Sequence, residues 1–271
     1  MFEKKTIIVT GASKGIGREI SRALAREGAN LALVARGVDA LADTRLQILE
    51  EIPSCKVEIF PCDITDSERV RITVEAIVQS FGSIDACISN AGYSHPQYFD
   101  QTPIVEFEKQ IQTNYLGAVY LLKFCKPHLK AGSFIAVTSS VLGYMGCFGY
   151  SSYGPSKYAV LGLAETLRQE FAFDKIQVSV LCPPDTLTPG YQLENVTKPK
   201  ETLLLSEGMK ALDPEEVAAI FLKGLKKGKF IINCNLESEV IFRFKLMAPE
   251  AYYKVIMSQL KKIKKDKLGM I

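Results

Sequence analysis

The sequence is short of the residues that announce a metal centre or a nucleic-acid surface. It holds two histidines in 271 residues, His95 and His128. Neither has a partner at catalytic or metal-ligating spacing, and no Cys-His zinc pattern occurs, so no metal is expected. Charge of one sign is also scarce: 33 Lys and Arg against 30 Asp and Glu leave a formal net charge of +3, dispersed through most of the chain. With no aromatic RNA motif beside it, that balance argues against nucleic acid as a partner. The seven cysteines (55, 62, 87, 125, 147, 182, 234) form no paired framework. Their odd count in mostly apolar segments suits buried thiols in a reducing, cytoplasmic setting. Long hydrophobic runs are missing as well. The longest uncharged stretch, 131 to 156, is interrupted by glycines, serines and a Gly-Pro pair, so it is not a membrane span. The opening "MFEKKTIIVTG" lacks the apolar region of a leader, and no cleaved leader is expected.

What is present is an alternation. Short β-branched runs ("TIIVTG", "NLALVAR", "KVEIFPCD", "IDACISNAG", "GSFIAVTSS", "IQVSVLCPP", "KFIINCN") are separated by longer charged segments with helical periodicity. "FEKQIQTNYLGAVYLLKFC" predicts one continuous helix. Continuous apolar strands between helices imply a parallel sheet covered on both faces, a doubly wound α/β Rossmann-type fold. No linker composition interrupts it up to about residue 183. Residues 1 to 235 are therefore expected to form one domain, in which 184 to 212, without sustained periodicity, make a long loop that acts as a lid. Asp213 and Pro214 then start another helix as N-cap and first residue. Residues 236 to 271 form a basic C-terminal extension.

Several stretches carry chemistry. "TGASKGIG" ends the first strand and opens a helix, placing Gly11, Ser13, Lys14, Gly15, Ile16 and Gly17 in the turn. Glycines let a backbone approach a diphosphate, and a helix N-terminus supplies free N–H groups with a positive dipole end. Nineteen residues past Gly17, Arg36 stands where an NAD enzyme carries an acidic residue. An arginine there, with Lys14 as a second cation, suits a 2′-phosphate and points to NADP(H). Asp63 in "PCDI" either accepts from an adenine amino group or makes a turn. "SNAG" and "TSS" end the fourth and fifth strands at the sheet's carboxyl edge, where ligands of such folds bind. In "SSYGPSKYAV", Tyr153 and Lys157 are one helical turn apart with Pro155 in the first turn. A cation beside a phenol favours phenolate and makes the tyrosine useful in proton transfer.

Together these motifs, with Asn114 in "QTNYLG", resemble the short-chain dehydrogenases/reductases over about residues 4 to 235. The resemblance implies a central sheet of about seven parallel strands. It also implies that Tyr153 donates a proton to a carbonyl oxygen and Ser140 orients that oxygen. Lys157 would lower the tyrosine pKa and hold the nicotinamide ribose, and Asn114 would steady a water. Ser139 is structural on this reading. Asn90, Ala91, Gly92, Pro183, Thr186 and Thr188 would contact the cofactor, as would Tyr153 itself. A narrower likeness lies in "PPDTLTPGYQLENVTKPKET", which looks like the same segment of 3-ketodihydrosphingosine reductases, enzymes that reduce a long-chain amino ketone with NADPH. Departures are Cys182 for an aromatic, Pro155 for a small residue, and no N-terminal anchor like that of eukaryotic members.

A long-chain, lipid-like keto substrate needs an apolar groove, for which Tyr93, Tyr144, Met145, Phe148, Tyr150 and Tyr191 are candidates. Asp185 or Glu194 meets the substrate ammonium or caps a turn. Alternatives are reduction of a 3-oxoacyl thioester or steroid-like ketone, and a nucleotide-binding sensor without catalysis, against which the complete Asn114, Ser140, Tyr153 and Lys157 set argues. The C-terminal extension carries six lysines between 254 and 267 beside an apolar face. That composition suits either peripheral contact with the inner, anionic face of a membrane or a core-packed helix with a solvated basic tail. By resemblance, a homo-oligomer paired through the long helices flanking the site is expected.

Overall fold

Residues of one parity in every strand bury against one helical layer and those of the other parity against a second, which only a two-faced sheet permits. In the computed structural model, which describes residues 1–266, the chain runs β1 (Thr6–Thr10), α1 (Gly15–Arg26), β2 (Asn30–Ala35), α2 (Val38–Glu51), β3 (Val57–Pro61), α3 (Ser67–Phe81) and β4 (Ala86–Ser89). It continues through α4 (Ile104–Gln110), α5 (Gly117–Cys125), β5 (Phe134–Thr138), α6 (Tyr153–Glu170), β6 (Gln177–Cys182), α7 (Pro189–Thr197), α8 (Lys200–Leu205), α9 (Pro214–Lys226), β7 (Ile231–Asn233), α10 (Leu236–Met247) and α11 (Pro249–Asp266). The seven strands are all parallel in the order β3-β2-β1-β4-β5-β6-β7. Ile7, Val9, Leu31, Leu33, Phe134 and Leu181 face a core shared with α1, α2 and α9. Ile8, Ala32, Val34, Ile135, Val137 and Val180 face a second core shared with α3, α5 and α6.

The strand order reverses between β1 and β4, so the carboxyl edge opens there into the crevice where such sheets place ligands. Asn90 braces this point. Its amide donates to the Thr10 carbonyl at 3.2 Å, and its Oδ1 accepts from the Thr138 hydroxyl at 3.2 Å, tying the ends of β1, β4 and β5 together.

Three sequence expectations are corrected. The helix predicted as continuous through Asn114 is interrupted: residues Ile111–Leu116 form a π-helical turn between α4 and α5. The lid expected as an irregular loop holds two short helices, α7 and α8, whose charged and apolar residues are too few for a period to show. Asp213 precedes α9 in extended conformation as expected, but its side chain makes no capping hydrogen bond. The lid's two ends are zipped at its base, where Leu187 N donates to Leu212 O and Leu212 N to Asp185 O, each at 2.9 Å.

The C-terminal helices pack on this body. Tyr144 meets Phe242 of α10 with ring centroids 4.8 Å apart, Tyr252 of α11 is buried, and α11 lies against α8. Val255 and Met257 of α11 stay exposed. Lys267, the last of the six lysines, lies outside the described residues. Among the described residues, no helix is long and apolar enough to cross a membrane and no cluster of His, Cys, Asp or Glu is arranged to hold a metal. All seven cysteines are free thiols.

Gly17 shows how tightly the first turn is built: a Cβ there would stand 2.3 Å from the Gly11 carbonyl oxygen and 2.5 Å from Asn90 Nδ2. Backbone and a strand brace cannot both retreat. Gly17→Ala is expected to cost about 1–3 kcal/mol of stability, read as a lower urea midpoint; an unchanged midpoint would show that the turn yields.

Candidate active site

Helix α6 begins at Tyr153, with Pro155 in its first turn where a missing N–H leaves no bond unmade. Four residues on, Lys157 turns inward and is only 3% exposed. Its Nζ donates to the Thr138 carbonyl at the end of β5, 2.8 Å away, and stands 5.6 Å from the Tyr153 ring centroid. Burial makes the ammonium costly and pushes the Lys157 pKa down to about 8. The Tyr153 phenol is hydrogen-bonded with Ser140, which pulls its pKa down, but burial and then Glu194 push it above the ordinary value. Burial and the carboxylates Glu194 and Asp185 thus favour the protonated phenol. Ser140 sits just past β5, where its Oγ also accepts from Leu142 N at 3.1 Å. Its neighbour Ser139 donates to the Lys157 carbonyl at 2.8 Å, the structural role expected of it.

Asn114, in the π turn, is buried and fully engaged. Its Nδ2 donates to the Tyr93 carbonyl at 3.0 Å and to Ser156 Oγ at 2.9 Å, and its Oδ1 accepts from Tyr93 N at 3.0 Å. Ser156 in turn donates to the Tyr153 carbonyl at 2.7 Å. A π turn at such a place re-aims one side chain within an otherwise regular helix. A Cβ on Gly92 would stand 2.8 Å from Asn114 Oδ1 and 3.2 Å from Lys157 Nζ, so Gly92, Asn114 and Lys157 converge. Ser156 was invisible to sequence reasoning, since its partners lie 42 positions away and one turn back.

On the other side of the crevice, Gly11 and Gly15 have φ of +67° and +57°, conformations that favour glycine. Lys14 stands at the N-cap of α1 in extended conformation, and no side chain caps that helix. Its first N–H groups are thus left for an anion, and the turn, which includes Ser13 and Ile16, fits a dinucleotide diphosphate. Thr188 of the lid lies over it, its methyl 3.0 Å from where a Gly15 Cβ would be. Thr188 also caps α7, accepting from Tyr191 N at 3.1 Å. Pro183 and Thr186 are buried at the base of the lid, with the Thr186 hydroxyl on the Pro184 carbonyl at 2.9 Å. Arg36 is exposed just past β2, and Ala91 and Gly92 border the crevice at the end of β4. Asp63 makes the turn: one carboxylate oxygen accepts from Thr65 N and Oγ1 at 3.0 and 2.8 Å.

The substrate candidates divide. Tyr150 is buried with its ring 5.9 Å from that of Tyr153, and its phenol donates to Glu194. Tyr191 lies under Lys198 Nζ at 4.4 Å from the ring centroid and hydrogen-bonds Asp185. Phe148 is partly exposed and packs edge-on against Tyr98 at 6.0 Å. One expectation is corrected. Tyr144 faces inward, its phenol donating to Asn233 Oδ1 at 3.0 Å and to the Ser238 carbonyl at 3.2 Å, so it anchors α10 rather than lining a groove. Tyr93 is partly exposed and donates to Glu106 at 3.1 Å; burial, then Glu106, push its pKa up to about 12.

Comparison with known proteins agrees with this geometry. A family model described as short chain dehydrogenase matches residues 5–198. A 3-ketodihydrosphingosine reductase of Dictyostelium discoideum is 40% identical in an alignment of 258 positions that covers 87% of this chain and 76% of the relative. A 3-dehydrosphinganine reductase of Danio rerio is 36% identical over 230 residues, covering 83% of this chain and 69% of its own. Among solved structures, a short chain dehydrogenase/reductase from Burkholderia phymatum in complex with NAD has a TM-score of 0.82 at 21% identity, covering 92% of this chain and 95% of that one. An alcohol dehydrogenase from Thermococcus sibiricus complexed with 5-hydroxy-NADP has a TM-score of 0.74 at 29% identity, over 85% and 95% of the two chains. The family model covers most of the chain and the relatives are 36–40% identical over most of it: the chain belongs to the short chain dehydrogenase family and is an oxidoreductase.

Proposed function

We propose that the chain reduces the ketone of a long-chain amino ketone, 3-ketodihydrosphingosine, to the alcohol with NADPH. The observation that carries the reading is the buried Lys157 ammonium beside a protonated Tyr153 that shares a hydrogen bond with Ser140. The names of the relatives supply the substrate.

The roles follow from where the groups stand. Ser140 and Tyr153 receive the ketone oxygen. Bound NADPH supplies the hydride for the carbonyl carbon. Tyr153 gives its proton to the oxygen, and the charge left on the phenolate is stabilised by Lys157. Asn114 acts as a positioning residue, since its side chain holds Tyr93 and, through Ser156, the first turn of α6. Gly11, Ser13, Gly15, Ile16 and Gly17 would hold the diphosphate, and Arg36 with Lys14 a 2′-phosphate. Asn90, Ala91, Gly92, Lys157, Pro183, Thr186 and Thr188 would border the rest of the dinucleotide, and Asp63 its adenine. Tyr150, Tyr191 and Phe148 would border the substrate under the 184 to 212 lid.

Two wider proposals accompany this one. Exposed Val255 and Met257, with Lys254, Lys261, Lys262 and Lys265 on the same helix, support peripheral contact of the C-terminal extension with an anionic membrane surface. Self-association through the long helices beside the site stays part of the reading on family resemblance.

Tyr153→Phe is expected to lower kcat by about 10²–10⁴ while NADPH affinity, measured by fluorescence titration, stays nearly intact; retained turnover would refute the proton-donor role. Since Lys157 titrates at about 8 in the fold, its charge is complete below that pH and lost above it. The kcat/KM for reduction should therefore decline as pH rises through about 8, and a flat profile to pH 10 would remove Lys157 from the mechanism. Arg36→Asp is expected to move preference from NADPH towards NADH, tested by the ratio of the two kcat/KM values. NADPH consumption with dispersed 3-ketosphinganine, run beside a 3-oxoacyl thioester of equal chain length, tests the substrate: preference for the thioester would sink the amino-ketone reading and leave the reductase.

A further inference from the structure

The lid carries three charges to the neighbourhood of Tyr153. Lys198, at the C-terminal end of α7, has a side chain only 1% exposed, yet its ammonium pairs with Glu194 at 3.1 Å and with Asp185 at 3.8 Å. An ammonium stays charged at that depth when carboxylates compensate it. Two carboxylates around one ammonium leave one negative charge over, and the two are not equivalent. Glu194 is saturated, accepting from Lys198, from the Tyr150 phenol and from the Ser94 hydroxyl, with its side chain 16% exposed. Asp185 keeps the longer ion pair and a hydrogen bond from Tyr191, and its side chain is 36% exposed. It stands three residues past the end of β6, on the carboxyl edge of the sheet. The cluster reaches Tyr153 by contact: Glu194 joins Lys198 to the Tyr150 phenol, and the Tyr150 ring stands 5.9 Å from that of Tyr153; both carboxylates accordingly raise the proton affinity of Tyr153.

We propose that Asp185 is the specificity-determining residue of this site: it receives the ammonium beside the ketone carbon of the substrate, while Glu194 and Lys198 lock the lid helix in place. The proposal rests on the amino-ketone reading above and assigns one of two carboxylates that the sequence left equal. The chemistry is selective. An ammonium on the carbon next to the ketone must lie close to Tyr153 whenever the oxygen is seated there, where it meets the surplus charge. A neutral ketone gains nothing from that charge, and a thioester carrying phosphate is repelled. Arrival of the cation also offsets the field of the lid carboxylates on Tyr153, easing proton donation to the ketone oxygen.

The test compares a long-chain 2-amino-3-ketone with the same ketone lacking the amino group, on wild type and Asp185→Asn. The selectivity ratio of the two kcat/KM values should fall about 10- to 100-fold in the variant, as expected for loss of a charge-assisted hydrogen bond. An equal loss on both substrates would show that Asp185 only holds the lid and would overturn the proposal. A second measurement needs no variant: dodecylammonium and dodecanol are compared as competitive inhibitors of wild-type ketone reduction. The ammonium should bind about 10-fold tighter or more, and equal inhibition would overturn the proposal. If wild type prefers the amino ketone and the variant keeps that preference, only the Asp185 assignment falls. If wild type prefers the thioester, the substrate reading falls first.

Discussion

The arrangement turns on an ammonium taken out of water. Lys157 is 3% exposed and donates to a single backbone carbonyl, that of Thr138, at 2.8 Å. A lone buried cation is expensive, so the walls around it must come close and stay close. The end of β5 supplies the carbonyl, Gly92 leaves room beside Nζ, and Gly143 permits the turn after β5 to press on α6. A Cβ on Gly143 would stand 2.0 Å from Ser139 Oγ and 2.9 Å from the Lys157 carbonyl oxygen. Three strand ends held together by Asn90 make that convergence rigid. The lysine is costly in the resting protein, and in the proposed reaction the phenolate left by Tyr153 would be the charge that offsets it.

The same edge of the sheet is built to receive charge of the opposite sign a short way off. The glycine turn and the uncapped N-terminus of α1 present N–H groups. Arg36 waits in solvent at the end of β2. The lid bridges the two regions, with Thr188 against the glycine turn and Asp185, Glu194 and Lys198 close enough to act on Tyr153. Its base is pinned by the backbone pairing of Asp185 and Leu187 with Leu212.

Strand and helix order was legible because burial on both faces writes continuous apolar runs, and the Tyr153–Lys157 pair and the glycine turn were legible because their spacing is local, whereas Ser140 was singled out by the family resemblance. The π turn at Asn114 was not, since one extra residue in a helix hardly alters the apolar pattern over a window of that length. Tyr144 was misread for a related reason. Proximity in sequence to Tyr153 says nothing about which way a ring points, and its phenol found partners far along the chain, on Asn233 and Ser238.

By itself, the sequence determined the doubly wound sheet, the placing of its carboxyl edge and the pairing of Tyr153 with Lys157 on one helix, since periodicity and short-range spacing suffice for these. Tertiary structure alone decided the sign of the shift on Tyr153, the saturation of Glu194 against the reserve on Asp185, and the inward anchoring of Tyr144. Those depend on how deeply a group is buried and on which charges from distant segments share its low-dielectric surroundings, and neither depth nor such company is encoded in local order.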